Sequence, residues 1–242
     1  MGYIPKFFRL VRRFGLRKAI YRSVVFLWTD KEDTVYGDYK RKHFVGITGD
    51  IVEIGVGQGA NFAYYHNVGT ITLVEPDVID RPELDAKIKA LQAKEVVVLE
   101  KQFEAVALAP ASTDVVMATL VFCSVADSIR FLDKIHRALK TGGRFYFLEH
   151  IQAKTFLRRL LQYAVNPFWF FVSGSCQCVK ATDRLFAADP RFKVISQEHF
   201  CIKDGFPWVR DHVIGVLEKK EVDDQGEGGV VYSKQACKII YT

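Results

Sequence analysis

The chain has 242 residues, of which 49% are apolar and 13% aromatic, and its formal net charge is +6. This length predicts one domain with additions and a full hydrophobic core. No apolar run approaches the roughly 20 residues of a membrane-spanning helix, and there is no secretory signal. Residues 1–22 carry seven basic residues and no acid, which indicates an anionic partner surface, either nucleic acid or membrane.

Residues 1–28 have the pattern of an amphipathic helix. Apolar side chains recur at spacings of three and four, and basic side chains cluster on the opposite side. Such a helix lies in a membrane interface, or it packs its apolar face on the protein's own core. Both alternatives stay open from the pattern alone. We assign residues 1–45 to an N-terminal unit that consists of this basic helix and a polar connection. The polar connection, residues 30–49, leads into the first strand.

Residues 50–61 read DIVEIGVGQGAN, the most informative stretch of the chain. The pattern predicts a β-strand, a tight turn with Gly55, Gly57 and Gly59, and the start of a helix. Glycines allow a ligand to approach the backbone because they carry no Cβ. A second apolar run, residues 71–74, ends in Glu75, which is placed to accept hydrogen bonds from both hydroxyls of a ribose. The sequence therefore predicts a nucleoside site at the carboxyl ends of parallel strands.

Two cofactors fit this loop. Gly55-x-Gly57-x-x-Ala60 satisfies the dinucleotide fingerprint, which would make the chain an NAD-dependent oxidoreductase. Glu53, two residues before the loop, extends the motif to E-x-G-x-G-x-G and favours S-adenosyl-L-methionine. The downstream order also fits a methyltransferase, and we find no Tyr/Lys or His pair for hydride chemistry.

The region 50–150 alternates strand and helix and predicts a doubly wound α/β sheet with helices on both faces. Strands are expected near 50–54, 71–75, 95–99, 114–118 and 144–149, with 192–195 and 213–217 closing the sheet. Residues 126–139 read as an amphipathic helix. The domain spans 46–218, and we expect the charged, glycine-rich residues 219–242 to form a mobile tail.

An apolar insert covers residues 155–182. Its densest part, residues 167–172, reads PFWFFV. Such a segment belongs to the protein core, lines a lipophilic substrate pocket or dips into a bilayer, and the sequence leaves the three alternatives open.

The five cysteines show no CxxC pair and no His/Cys ligand spacing. We therefore predict a reducing compartment, buried or incidental thiols, and no metal site.

Four segments together resemble class I S-adenosylmethionine-dependent methyltransferases of the Rossmann-like type. They are EIGVGQGAN at 53–61, VEPD at 74–77, ATLVFCSV at 118–125 and GGRFYFLEH at 142–150. A narrower resemblance is to the methyltransferase-like family 7, the thiol S-methyltransferases. It is carried by residues 119–125, the Glu149-His150 ending and Asn166-Pro-Phe-Trp169. The resemblance covers about residues 45–218. It implies S-adenosyl-L-methionine as cofactor and a small lipophilic acceptor with a thiol as the methylated group.

The resemblance also implies roles for individual residues. Glu53 would contact the methionine amino group of the cofactor, and Glu75 would bind its ribose. Asp77 is a weaker candidate for the ribose contact. The full cofactor-binding set is Glu53, Gly55, Gly57, Gly59, Glu75, Gln102, Phe103, Thr119 and Leu120. His150, at the end of the fifth strand, would take the proton from a thiol, although a thiol with a pKa of about 8.5 is already partly ionised. Trp169 and Phe170 would contact the substrate.

The family is attached to the endoplasmic reticulum or to lipid droplets, so a cytoplasmic, membrane-peripheral monomer is expected. The basic N-terminus departs from the family's hydrophobic anchor, and Lys180 stands where the family tends to have arginine. A non-catalytic, membrane-peripheral protein of the same fold stays an alternative. Nucleic acid is a poor candidate partner, because the basic arm alternates with Phe and Ile and the chain has no N/D-P-P-Y/F motif.

Overall fold

A computed structural model describes residues 8, 11–12, 15–16, 19, 32–78, 80–203 and 205–221. The described N-terminal positions are helical. Most of the predicted amphipathic helix, and the predicted tail beyond residue 221, lie outside the described residues.

Twelve named elements follow one another along the described chain. They are α1 (Glu32–His43), β1 (Ile47–Ile54), β2 (Tyr65–Val74), α2 (Arg81–Ala90), β3 (Ala93–Leu99), β4 (Thr113–Thr119), α3 (Ser128–Ala138), β5 (Leu139–His150), α4 (Phe156–Ser173), α5 (Thr182–Ala188), β6 (Phe192–Cys201) and β7 (Asp211–Lys219). Short 3-10 turns occur at Phe62–Tyr64, Phe103–Ala105, Phe122–Ser124 and Pro207–Val209.

The strands form one seven-stranded sheet in the order β3-β2-β1-β4-β5-β7-β6. Strands β1 to β5 pair in parallel, and β7 runs antiparallel to both β5 and β6. The predicted doubly wound α/β sheet is thus confirmed. The strand order reverses between β1 and β4, and ligands of such sheets bind outside the carboxyl ends of the strands at this switch point.

Both faces of the sheet are covered, which is why its central strands are apolar on both sides. On one face Val116 and Phe145 pack with Phe131 of α3 and Phe186 of α5. On the other, neighbouring positions of the same strands pack with Tyr36 of α1 and Leu84 of α2.

Helix α1 lies inside the stretch predicted to be a polar connection. Its sequence is polar overall, so its hydrophobic pattern is weak, but Tyr36 is buried against the sheet. The Tyr36 hydroxyl lies 3.0 Å from Nε2 of His212 on β7. Tertiary packing therefore orders a helix that periodicity does not reveal.

The helix start predicted after the glycine loop is wrong. A single 3-10 turn, Phe62–Tyr64, takes its place, and β2 begins at Tyr65. Only residues 55–64 separate β1 from β2. A crossover that includes an α-helix needs at least about 10–12 residues in total, so the loop and a helix do not both fit.

The apolar insert forms helix α4, which contains Pro167 and ends at Gly174 in the left-handed conformation. Many of its apolar side chains face outward. Exposed are Phe156, Leu157, Leu160, Leu161, Tyr163, Phe168, Phe170 and Phe171. The core alternative is therefore wrong for these side chains. Within the described part of the chain, no helix combines the length and hydropathy needed to cross a bilayer.

Candidate active site

A cavity of about 300 Å³ opens at the carboxyl ends of β1, β2, β3 and β4. Its lining residues are Ile54, Gly55, Val74, Glu75, Pro76, Asp77, Gln102, Phe103, Glu104, Val121, Ser124, Val125, Phe131, Ser173, Gly174 and Ser175. The cavity thus lies at the predicted carboxyl ends of the parallel strands, and four of the predicted cofactor residues line it.

The glycine loop wraps the end of β1 with all three predicted glycines at positive φ. The Gly55 N–H donates to the Val74 carbonyl at 2.8 Å, which closes the loop onto β2. A Cβ on Gly57 would meet no atom within 4 Å. This part of the loop therefore leaves room for a ligand to contact the backbone.

Glu75 is held against this loop by two backbone N–H groups. Its Oε2 accepts from Gly57 at 3.2 Å, and its Oε1 accepts from Asp77 at 3.0 Å. Both bonds orient the carboxylate at the cavity edge, and a carboxylate oxygen can accept more than one hydrogen bond. A carboxylate fixed in this way fits two adjacent hydroxyls of a ribose.

Glu53 lies beneath the loop, 1% exposed, in a buried polar network. Asn61 Nδ2 donates to Glu53 Oε1 at 2.9 Å and to Thr119 Oγ1 at 3.2 Å, and Lys40 Nζ donates to Asn61 Oδ1 at 2.8 Å. Burial, and then the Glu53 charge, raise the pKa of the Tyr65 hydroxyl well above its usual range. The network ties α1, β1 and β4 to the glycine loop.

Sequence reasoning missed Lys40 and the bridging role of Asn61. Lys40 is 2% exposed, yet it lies in a polar stretch where a lysine is expected in solvent. Asn61 belongs to the motif at 53–61, so its position beside the loop was the one signal that pointed to it.

Gln102 and Phe103 follow β3 and both line the cavity. Gln102 is exposed, whereas Phe103 is 2% exposed and packs on Phe131 with ring centroids 4.8 Å apart. Lys134 Nζ donates to the Phe103 carbonyl at 2.5 Å and fixes this turn. Phe103 is thus both part of the core and part of the cavity wall.

Thr119 and Leu120 end β4 next to the glycine loop. Leu120 has φ of 57° and a side chain that is 38% exposed. Left-handed backbone in a residue other than glycine costs free energy and concentrates at functional sites. The Leu120 N–H donates to the Leu148 carbonyl at 2.7 Å, which stabilises this conformation.

His150 ends β5 as predicted, but it does not line the cavity. It is 5% exposed, and its Nε2 lies 3.0 Å from Sγ of Cys176. Cys123 is the third member of this group, since its Sγ, the Cys176 Sγ and a His150 ring nitrogen all lie within 4.8 Å of one another. The prediction of no metal site considered spacing along the chain and overlooked this convergence.

The side chains around His150 are ionisable and buried. Glu149 Oε1 accepts from the backbone N–H groups of Val121 and Phe122 at 2.9 and 3.0 Å. Burial, followed by the nearby Cys123, raises the pKa of Glu149 to about 8. Hydrogen bonding to Cys176, followed by burial, raises the pKa of the Cys123 thiol well above its usual range.

The two predicted substrate residues have different positions. Trp169 is half-buried, packs on Phe206 and Trp208, and donates from Nε1 to the Cys176 Sγ at 3.3 Å. Phe170 is 45% exposed. Neither lines the cavity, although Ser173–Ser175, at the end of the same helix, do.

The residues present fit a nucleoside cofactor. The open glycine loop, the fixed Glu75 carboxylate and the Gln102–Phe103 turn surround one cavity at the switch point of the sheet. They supply a backbone contact, a ribose acceptor and an apolar wall, which are the contacts that an adenosine with a short polar extension needs.

Comparison with known proteins supports the same reading. Residues 52–147 match the family model described as a methyltransferase domain. The chain is 29% identical over 186 residues to the thiol S-methyltransferase TMT1A of Homo sapiens, an alignment that spans 74% of this chain and 75% of that protein. It is 32% identical over 136 residues to the thiol S-methyltransferase TMT1B of Rattus norvegicus, spanning 54% and 55% respectively.

Among solved structures, an S-adenosylmethionine-dependent methyltransferase of Mesorhizobium loti has the same fold. The TM-score is 0.56 with 18% identity, over 76% of this chain and 98% of that one. The family match, the strand order and the glycine loop together favour methyl transfer over the hydride transfer of an NAD enzyme.

Proposed function

We propose that this class I S-adenosylmethionine-dependent methyltransferase transfers a methyl group to the sulfur of a small lipophilic thiol. The proposal rests on one observation, which is that the cavity has two different sides. The glycine loop and Glu75 form one side, and apolar residues of the turn after β4, Val121 and Val125, form another. The similarity to two thiol S-methyltransferases supports a thiol as the acceptor.

The cofactor supplies an activated methyl group on a sulfonium, so the protein's main contribution is positioning. Glu75 would fix the ribose and Gly57 would present its backbone to the cofactor. Glu53 would act on the methionine amino end through the Asn61 network rather than from the cavity wall. Thr119 and Leu120 would set the distance between the cofactor and the acceptor.

The test measures product formation with matched acceptors. Purified full-length protein and S-adenosylmethionine are incubated with hexanethiol, hexanol or hexylamine, and S-adenosylhomocysteine and the methylated product are quantified. We expect a methyl thioether from hexanethiol alone. Transfer to the amine or the alcohol without transfer to the thiol would refute the acceptor class.

Cofactor choice is checked separately by calorimetry. S-adenosylhomocysteine should bind, and NAD should not bind at the same concentrations. The opposite result would support the oxidoreductase alternative, and binding of S-adenosylhomocysteine with no turnover on any acceptor would support a non-catalytic role.

We also propose that the protein acts as a monomer at the cytoplasmic surface of a membrane, of the endoplasmic reticulum or of lipid droplets. Two features support this location. Phe156, Leu157, Phe168 and Phe171 of α4 are each more than 60% exposed, and residues 1–22 carry seven basic side chains. Apolar side chains that enter the acyl boundary, together with basic residues at anionic headgroups, are the two contributions that hold a peripheral protein on a bilayer.

Vesicle co-sedimentation with phosphatidylcholine and phosphatidylserine tests this location. Two full-length variants separate the contributions: F168D/F171D for α4, and K6Q/R9Q/R13Q/R17Q for the basic segment. We expect both to bind less, the second mainly at low salt, because exposed charges are screened beyond about 10 Å at 0.1 M salt. Unchanged binding by both variants, or dimerisation in light scattering through the α4 face, would argue against the proposal.

A further inference from the structure

Cys123, His150 and Cys176 form a buried group that the cofactor site does not use, here called the Cys2His cluster. All three are at most 5% exposed. One ligand atom of each lies within 4.8 Å of those of the other two. Two thiols and an imidazole are the side chains that bind zinc and other borderline-soft metal ions most strongly.

The fold holds the three residues together through backbone contacts. β4 and β5 pair in parallel, which places the turn after β4 beside the end of β5. The Gln177 N–H donates to the Cys123 carbonyl at 2.9 Å, so the segment after α4 is attached to the same turn. Ser173 Oγ accepts from the Cys176 N–H at 3.1 Å. The positions of the ligands are therefore fixed by the protein itself.

The distances suit a tetrahedral zinc ion after a small adjustment. Zn–S and Zn–N bonds of about 2.3 and 2.0 Å separate neighbouring ligand atoms by roughly 3.5 Å. The observed separation between His150 Nε2 and Cys176 Sγ is 3.0 Å. A shift of a few tenths of an ångström by two side chains would bring them to that spacing.

Two polar atoms beside the cluster lack a hydrogen-bond partner among the described residues. They are Glu149 Oε2 and His150 Nδ1, and both are buried. Buried polar atoms in native proteins are nearly always satisfied, and exceptions often mark a bound ion or water. Lys180 lies close by, where its Nζ donates to the Phe122 carbonyl at 2.9 Å.

Two cysteine thiolates would match the double positive charge of a zinc ion. A buried site without net charge avoids much of the desolvation cost of its separate ions.

Neighbours of the cluster along the chain line the cavity. Val121, Ser124 and Val125, on either side of Cys123, line the cavity, and so do Ser173–Ser175, immediately before Cys176. Three protein ligands with one remaining position are the composition of catalytic zinc sites, whereas structural sites use four.

We propose that Cys123, His150 and Cys176 bind one zinc ion, and that its fourth position takes the sulfur of the acceptor thiol. The second half of the proposal rests on the thiol methylation proposed above. The acceptor binds as a thiolate and releases its proton to solvent. The sulfur then forms a bond to the methyl carbon as the bond between that carbon and the sulfonium breaks, giving a methyl thioether and S-adenosylhomocysteine.

Metal binding is tested first, on the full-length protein and without turnover. Protein stripped with a chelator is titrated with Zn²⁺ against a chromophoric competitor, and with Co²⁺ while the absorption spectrum is followed. We expect one equivalent of metal and, with Co²⁺, a thiolate-to-metal charge-transfer band. The absence of stoichiometric uptake at micromolar metal would overturn the site.

Matched variants assign the ligands. Cys176→Ser and His150→Gln should each weaken metal affinity at least tenfold, whereas Cys201→Ser, at an exposed cysteine outside the cluster, should not. Unchanged affinity for S-adenosylhomocysteine in Cys176→Ser shows that the variant is folded. Equal metal binding by Cys176→Ser and Cys201→Ser would refute the assignment.

The fourth position is tested with the Co²⁺ protein and hexanethiol. A shift of the cobalt bands that saturates with thiol, and does not occur with hexanol, is the expected result. One equivalent of metal without this shift would restrict the ion to a structural role. Loss of two titratable thiols on mild oxidation, with no metal uptake, would identify a Cys123–Cys176 disulfide pair instead.

These experiments distinguish failure of the zinc site from failure of the proposed thiol methylation. If the metal and the spectral shift are present but no acceptor thiol is methylated, the site stands and the activity is wrong. If the stripped protein methylates thiols at the full rate, the activity stands and the zinc ion has no part in it.

Discussion

The two sides of the cavity are built in different ways. The cofactor side depends mainly on one strand–loop–strand unit, in which Gly55 donates to the Val74 carbonyl and Gly57 donates to Glu75. The other side combines the turn after β4 with the end of α4 and the segment after it, which meet only in three dimensions. A site made by one local unit can be predicted from spacing, whereas a site assembled from distant segments cannot.

Cofactor affinity should depend most on the local side. Glu75→Ala removes charge-assisted hydrogen bonds at the cavity edge, which contribute about 1.5–3 kcal/mol, so the Kd for S-adenosylhomocysteine should rise roughly ten- to hundredfold. Calorimetry measures this. The control is Glu100→Ala, which removes an exposed carboxylate just after β3 that pairs with Arg81. The Kd of this variant for S-adenosylhomocysteine should equal that of the wild type. An equal Kd for wild type and Glu75→Ala would remove Glu75 from the ribose site.

Acceptor specificity should depend on the assembled side. Trp169→Ala removes the ring that packs on Phe206 and Trp208 and donates to Cys176. If substrate desolvates this ring, the loss is about 1.5–3 kcal/mol. We expect kcat/KM for long-chain thiols to fall at least tenfold while the S-adenosylhomocysteine Kd is retained.

The matched control for that change is Phe168→Ala, one residue earlier and 68% exposed. Its kcat/KM should change little. A drop in melting temperature with a uniform loss of activity for hexanethiol and for sulfide in Trp169→Ala would instead make Trp169 a structural residue.

The buried network of Lys40, Asn61 and Glu53 should contribute to stability. Lys40→Met removes the donor to Asn61 Oδ1, and Asn61 in turn donates to the buried Glu53. Loss of one partner of a buried polar group costs about 1–3 kcal/mol. The free energy of unfolding, measured in urea, should therefore fall by that amount.

Lys42→Met on the same helix serves as the comparison. Its Nζ pairs with Glu198 at 2.7 Å, but the side chain is 66% exposed, and surface ion pairs contribute about 0–1 kcal/mol. Equal losses in the two variants would show that the Lys40 network does not stabilise the fold.

A smaller effect, on the pH dependence of stability, is expected at His136, which does not line the cavity. Burial, and then Arg191 and Lys219, lower the pKa of His136 to about 4. The unfolded chain takes up this proton below about pH 6.5 and the folded chain does not. Stability from this group is therefore complete above pH 6.5 and is lost progressively as the pH falls toward 4.

His136→Gln should reduce the difference in unfolding free energy between pH 7 and pH 5, measured in urea. His66→Gln, at an exposed position, should leave that difference as in the wild type. A steeper pH dependence in His136→Gln would contradict the assignment.

The sequence by itself determined the sheet and the cofactor edge. Alternation of apolar runs with helical patterns predicts parallel strands, and glycines at fixed spacing before Glu75 predict the loop, because each depends only on neighbours along the chain. The same reasoning placed His150 correctly at the end of β5. It failed after the loop, where a helix was expected, because ten residues between β1 and β2 leave room for a 3-10 turn only.

Only the tertiary structure decided the environment of Lys40, the exposed apolar face of α4 and the Cys2His cluster. A lysine in a polar stretch is buried because α1 packs onto the sheet beside Asn61. The aromatic run at 168–171 divides between solvent and the ring cluster of Trp169, because one helix presents its side chains in different directions. Cys123, His150 and Cys176 meet because β4 and β5 are neighbours and the segment after α4 returns to them. Contacts between distant segments depend on strand order and helix packing, which no local spacing records.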